Sequence, residues 1–166
     1  MSLSRFKLQQ RGLTLVEVLV ALVIMSIGLL GISSLYLETL RANRTSQLRG
    51  QAIDLVNDIA DRIRANRRGR AAYVKDAATA VTGDGCTVST PYKPEDLAKD
   101  DVMCWVKTVN SRLPADEKGK PPTTSIVFTE ATGSTLDRYT VRIEWKEPSQ
   151  PDPLSYQMVF DVLPPS

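Results

Sequence analysis

The sequence contains no histidine, so the one side chain whose ordinary pKa falls near neutrality is missing. Without it there is no Cys–His or Ser–His nucleophile and no imidazole ligand for a metal. Cysteine is also scarce: Cys86 and Cys104 are the only two in 166 residues, too few for a thiolate zinc site. Aromatics make up only 6% of the chain, and Trp105, Trp145 and Tyr139 fall on faces that the period assigns to packing rather than to ligand stacking. The motifs of catalysis are missing too. No Gly-x-Ser-x-Gly elbow, phosphate-binding glycine loop or Ser-x-x-Lys pair occurs, and Asp96, Asp100, Asp101, Asp116 and Glu117 lie in hydrophilic stretches that read as solvated surface. No enzyme activity, cofactor or metal is expected.

Apolar residues are 42% and charged residues 24% of the chain, the balance of an ordinary globular domain. At this length one domain with a real core is expected, together with one special segment. The formal charge of +2 is misleading. Three of the 21 basic residues, Arg5, Lys7 and Arg11, precede the first apolar run with no acid among them, and beyond residue 12 there remain 18 basic against 19 acidic side chains. The excess positive charge is that of a targeting segment.

From Leu13 to Ile32 the sequence reads LTLVEVLVALVIMSIGLLGI, with Glu17 as its single charge. Twenty such residues make enough helix to cross a bilayer. The basic leader places residues 1–12 in the cytoplasm and the chain after about Ser34 outside it. A secretory signal would end at a small-residue cleavage site after the apolar run, but here the helical pattern continues through Ser33-Ser34-Leu35-Tyr36-Leu37. The apolar segment is therefore expected to stay on the mature chain. A plain anchor gives no reason to keep Glu17, because an acid at mid-bilayer costs about 2.5–3.5 kcal/mol on insertion scales, and less near an end.

The stretch Arg11-Gly12-Leu13-Thr14-Leu15-Val16-Glu17-Val18-Leu19-Val20-Ala21-Leu22 resembles the class III signal of type IV prepilins and type II secretion pseudopilins. The resemblance implies cleavage by a prepilin peptidase between Gly12 and Leu13, N-methylation of Leu13, and a role for Glu17 as the acid that meets the terminal amine of a neighbouring subunit. Phe is more common where Leu13 stands. Charge logic points the same way, since cleavage exposes a positive amine near an unpaired carboxylate. A pair within one helix is the alternative, the two groups being about one turn apart.

Gly28 and Gly31 each weaken the helix by about 1 kcal/mol relative to alanine. They fit either close helix packing in lipid or a stretch that extends during assembly, although the proline common there in major pilins is missing. Beyond the span, Leu48, Ala52, Leu55, Val56, Ile59 and Ile63 form one apolar helical face. The spacing predicts a helix from Thr14 to about Ala65, roughly 78 Å long at 1.5 Å per residue, with Gly50 marking a close contact or a weak point.

The segment Asp58–Arg67 resembles the end of the long helix in PilV-type minor pilins. Arg62, Arg64, Arg67, Arg68 and Arg70 form a basic cluster, read as a solvated helix end complementing the dipole or as a contact to an acidic neighbour. Phosphate binding is the weaker reading, so nucleic acid is not expected as a partner.

After Gly69 the sequence to about Lys93 shows no strong period and reads as loop with a short helix at its start. A second helix is predicted from Pro94, with Val102, Trp105, Val106, Val109 and Leu113 at helical spacing and Pro114 closing it. Strands are predicted at Thr124–Thr129, Arg138–Lys146 and Tyr156–Leu163, forming an antiparallel meander. Trp105, Trp145 and Tyr139 are assigned to the core. In an exported domain a disulfide between Cys86 and Cys104 is expected to stabilise by roughly 3 kcal/mol; two buried free thiols are the alternative.

The expected fold is α+β and type IV pilin-like, a long N-terminal helix on a small antiparallel sheet. Its parts are a leader at 1–12, a membrane or filament-core helix at 13–34, the periplasmic half of that helix at 35–68 and a head at 69–166. The resemblance implies a minor pilin near the pilus tip, partnered by other minor and major pilins, prepilin peptidase and the inner-membrane assembly machinery. Such a subunit resides in the inner membrane with its head in the periplasm, and in the pilus after assembly. A minor pseudopilin of a type II secretion system and a monomeric anchored binding protein are the alternatives.

Overall fold

The computed structural model describes residues 14–79, 81, 86, 93–130, 132, 136–147, 150 and 152–165. Their order is one long helix, a 3-10 segment, a second helix and three strands. Helix α1 runs from Leu15 to Ala65. The chain divides between Asn43 and Arg44 into two compact units.

In the first unit α1 is exposed along its whole apolar length, and it is the one described helix long and apolar enough to cross a membrane. Its polar side chains are satisfied locally. Ser26, Ser33 and Thr39 donate to the carbonyls of Leu22, Leu29 and Leu35, each four residues back, at 2.7, 2.8 and 2.9 Å. Hydroxyls bonded in this way need no water, which suits a segment destined for lipid or a helix bundle.

In the second unit the predicted face of α1 is the buried one: Leu48, Ala52, Leu55, Val56, Ile59, Ala60 and Ile63 enter the core. Helix α2, Pro94–Arg112, starts with proline in its first turn and Glu95 and Asp96 beside it, and carries Arg112 in its last turn. Both ends thus complement the helix dipole. Its buried face is Ala98, Val102, Trp105, Val106 and Val109. Trp105 is fully buried, and its indole nitrogen donates to the Leu55 carbonyl of α1 at 2.7 Å, which satisfies the one polar atom of an otherwise apolar anchor.

Strands β1 (Thr123–Thr129), β2 (Asp137–Trp145) and β3 (Leu154–Val162) form an antiparallel sheet in that order. β2 alternates cleanly, with Asp137, Tyr139, Val141, Ile143 and Trp145 buried, as a central strand with one face on the core requires. The register sets Phe128 opposite Tyr139 and Tyr139 opposite Phe160. Their rings form a cross-strand ladder with centroids 5.0 and 5.6 Å apart. Arg70 lies over the Phe128 ring and Arg64 over the Phe160 ring, so a guanidinium closes each end of the ladder.

At the start of the region after Gly69 the expected short helix is present, and one strand-like pairing is added to it. A 3-10 segment spans Arg67–Tyr73. Lys75 then pairs with Ile126 of β1 through two backbone hydrogen bonds of 3.0 and 2.9 Å. A single bridging residue leaves no periodic trace, which is why the pattern reads as loop.

Candidate functional site

The N-terminal site is built at the start of α1. Thr14 precedes the helix, and its hydroxyl oxygen accepts the backbone N–H of Glu17 at 3.3 Å. This is the Thr half of a Thr-x-x-Glu capping arrangement. The signal was present in Thr14-Leu15-Val16-Glu17, and it gives Glu17 a second reason to stand where it does: an acid in the first helical turn complements the dipole. Glu17 shares a shallow groove of about 300 Å³ with Val18, Ala21, Leu22 and Met25. Among the described residues it forms no ion pair. The expected cleavage and methylation residues, Gly12 and Leu13, lie outside the described residues.

In the second unit Cys86 and Cys104 are joined by a disulfide, with Cys104 on α2. The bridge ties the connection after the 3-10 segment to that helix.

The basic cluster is not a uniform solvated surface, because three of its five arginines are neutralised within the chain. Arg62 pairs with Asp58 at 3.2 Å and with Asp101 at 3.0 Å. Arg64 pairs with Asp61 at 2.9 Å. Arg70 pairs with Glu130 and makes two hydrogen bonds to Asp137, whose side chain is 3% exposed. The Asp137 bond is the main reason the Arg70 guanidinium is held above its ordinary pKa. Arg70 also carries a positive φ of 33°, a conformation an L side chain adopts only when its surroundings fix it.

Asp101, expected on the solvated surface, is instead mostly buried, its side chain 14% exposed. It accepts from Arg62 and, at 2.9 Å, from the Tyr73 hydroxyl. Burial, helped by the hydrogen bond to Asp101 and that acid's charge, drives the Tyr73 phenol well above the ordinary range. Gly50 makes no close contact: a Cβ there would meet nothing within 4 Å. The close approach falls at Gly69, where a Cβ would lie 2.8 Å from Asn66 Nδ2 and 2.9 Å from both Ala98 Cβ and Tyr73 Cε2.

Two buried groups had no sequence signal. Lys75, 7% exposed, directs its ammonium at the carbonyls of Asp76, Thr79 and Thr124, each at 3.0 Å. Desolvation lowers its pKa. Glu147, 6% exposed, accepts from the Thr45 hydroxyl of α1 at 2.8 Å and from the Trp145 indole at 3.4 Å. Among the described residues, no group of histidine, cysteine and acidic side chains could hold a metal ion.

These features define an α+β chain with an exposed apolar N-terminal helix long enough to cross a membrane and a second unit tied by a disulfide. The prokaryotic N-terminal methylation motif matches residues 7–33, and the family model of the type IV pilin Tt1218 matches residues 34–103. A prepilin N-methylation motif is thus followed directly by a stretch similar to a type IV pilin domain. The long helix and small three-stranded sheet are the α+β fold of type IV pilins; the sheet lies beyond the matched range. No curated protein and no solved structure matches the chain.

Proposed function

We propose that this chain is a minor pilin of the PilV kind, without catalytic activity, built into a type IV pilus in few copies near its tip, where it primes assembly. In this reading residues 1–12 are a cytoplasmic leader, 13–34 the membrane and filament-core helix, 35–68 its periplasmic continuation and 69–166 the periplasmic head. Prepilin peptidase cuts after Gly12, Leu13 becomes the methylated terminus, and Glu17 receives the amine of an adjacent pilin.

The observation that carries the reading is Glu17 itself, a carboxylate with no ion-pair partner among the described residues, in the first turn of a helix whose apolar N-terminal half is exposed. In lipid or in a filament core such a charge is costly unless a cation arrives. Capping accounts for an acid at the helix start but leaves its charge uncompensated, since the dipole supplies only about half an elementary charge.

Mass spectrometry of the mature N-terminus tests processing: a methylated Leu13 is expected, and a chain still beginning at Met1 rejects it. Glu17→Val tests assembly, with loss from sheared pili expected despite normal membrane levels. Entry into pili at the wild-type level would end the account of Glu17. Lost enzyme secretion with intact piliation in a deletion strain would move the chain to the pseudopilins.

A further inference from the structure

The neutralised arginines draw attention to the two that are not. Arg67 and Arg68 follow the end of α1, both are exposed, and neither forms an ion pair among the described residues. With Ala65, Asn66 and Pro165 they line a cleft of about 210 Å³. The carbonyl end of α1 offsets only about half an elementary charge, against two full charges side by side. Asn66, whose side-chain amide donates to the Pro94 carbonyl at 2.8 Å, carries no charge to offset them.

We infer that Arg67 and Arg68 form a docking site for carboxylates on the long helix of a neighbouring pilin subunit; this rests on the pilin reading above. Charge complementarity selects the occupant. α1 itself shows what such a surface looks like: Asp54, Asp58 and Asp61 recur at i, i+4 and i+7. Asp54 forms no ion pair among the described residues, while Asp58 and Asp61 are paired with Arg62 and Arg64 of the same chain but keep 45% and 74% of their side-chain surface open. Carboxylates at that spacing stand about 5–6 Å apart, within reach of two adjacent arginines. Membrane-anchored subunits lie parallel, so a neighbour displaced along the helix axis presents this face to the end of α1.

A nucleic acid fits less well. Phosphate-backbone binding draws its strength from many cations along a stripe, and Arg62, Arg64 and Arg70 are already committed to internal acids. Two charges in a small cleft suit one or two carboxylates.

The test uses the full-length chain in cells that assemble pili, after the wild-type protein has been detected in sheared pili; its absence there would reject the pilin reading rather than this one. The double variant Arg67→Glu/Arg68→Glu is expected to lower incorporation at least about fivefold, since it sets like charges against each other. Arg67→Lys/Arg68→Lys, which keeps the charge, is expected to stay within about twofold. Equal melting temperatures in detergent separate a docking defect from misfolding. In parallel, a benzophenone side chain in place of Arg68 is activated by light and the adduct sequenced. A cross-link to a carboxylate-bearing turn of a pilin long helix, this chain's or another's, is the expected result. Cross-links confined to phospholipid or nucleic acid, no intermolecular cross-link, or unchanged incorporation of the double glutamate variant would each overturn the inference.

Discussion

Arg70 and Asp137 face each other through two hydrogen bonds, Nε to Oδ2 at 3.0 Å and a terminal nitrogen to Oδ1 at 2.8 Å. The pair joins the 3-10 segment to the first residue of the central strand. Asp137 is nearly inaccessible while Arg70 is held in a left-handed backbone conformation, so the acid and the strain depend on one another. Removing one partner of a buried pair strands the other. Asp137→Ala is therefore expected to lower the melting temperature more than Glu130→Ala, whose acid is largely exposed. Thermal unfolding of the detergent-solubilised protein checks the order, and equal effects would show that the bidentate bond is not what fixes Arg70.

Glycines 50 and 69 should respond in opposite directions. Gly69→Ala places a methyl group against Ala98, Tyr73 and Asn66 and is expected to destabilise by about 1–3 kcal/mol. Gly50→Ala meets nothing and should stabilise the isolated chain by about 1 kcal/mol through helix propensity. Chemical denaturation measures both. If Gly50→Ala is more stable alone yet enters pili poorly, its open side is a contact face.

Alkaline titration should unfold the head through its tyrosines. Burial raises Tyr139 from 10.0 to about 12 and moves Tyr73 in the same direction. Raised folded values mean that the unfolded chain loses these protons first. The stabilisation is complete below about pH 10 and is lost as pH rises through the folded values. Lys75 acts oppositely, since its lowered value lets the folded state shed a proton early and gain stability as pH climbs toward 10.5. Two tyrosines should outweigh one lysine. Phenolate absorbance is expected to show Tyr73 and Tyr139 ionising only together with loss of tertiary circular dichroism.

On the acid side Asp116 and Asp161 contribute. Backbone N–H groups, foremost that of Lys120, hold Asp116 below its ordinary value, and the Arg138 guanidinium does the same for Asp161. Their stabilisation is present above the unfolded value of 3.8 and is lost as pH falls below it. Asp161→Asn should flatten the decline in melting temperature below about pH 4.

Opening the Cys86–Cys104 bridge removes a constraint worth roughly 3 kcal/mol in the chain-entropy view. A reductant-dependent mobility shift and a lower denaturation midpoint after reduction are expected. Two thiols that alkylate in the untreated protein would contradict the bond.

Periodic features were legible in the sequence. The buried face of α1, the core face of α2 and the alternation of β2 emerge at the predicted residues because a helix or strand repeats its environment at fixed intervals. The strand limits shift by a residue or two: β1 begins at Thr123, β2 runs from Asp137 to Trp145, and β3 begins at Leu154. What escaped were single long-range events. Arg70 meeting Asp137, Tyr73 and Arg62 sharing Asp101, and Lys75 capped by three carbonyls each join residues 28 to 67 positions apart, or rest on backbone atoms that no side-chain pattern encodes. The Thr14–Glu17 cap was readable but was masked by the prominence of the acid itself.

On the pilin reading proposed above, the covalent loop between Cys86 and Cys104 also bears on how the subunit behaves when a fibre is pulled. Tension arriving through the long helix could at most straighten the rest of the head, because the 17 residues enclosed by the bond are shielded from load. At about 3.5 Å each, that withholds roughly 60 Å of slack, keeping a stretched subunit shorter and quicker to recoil.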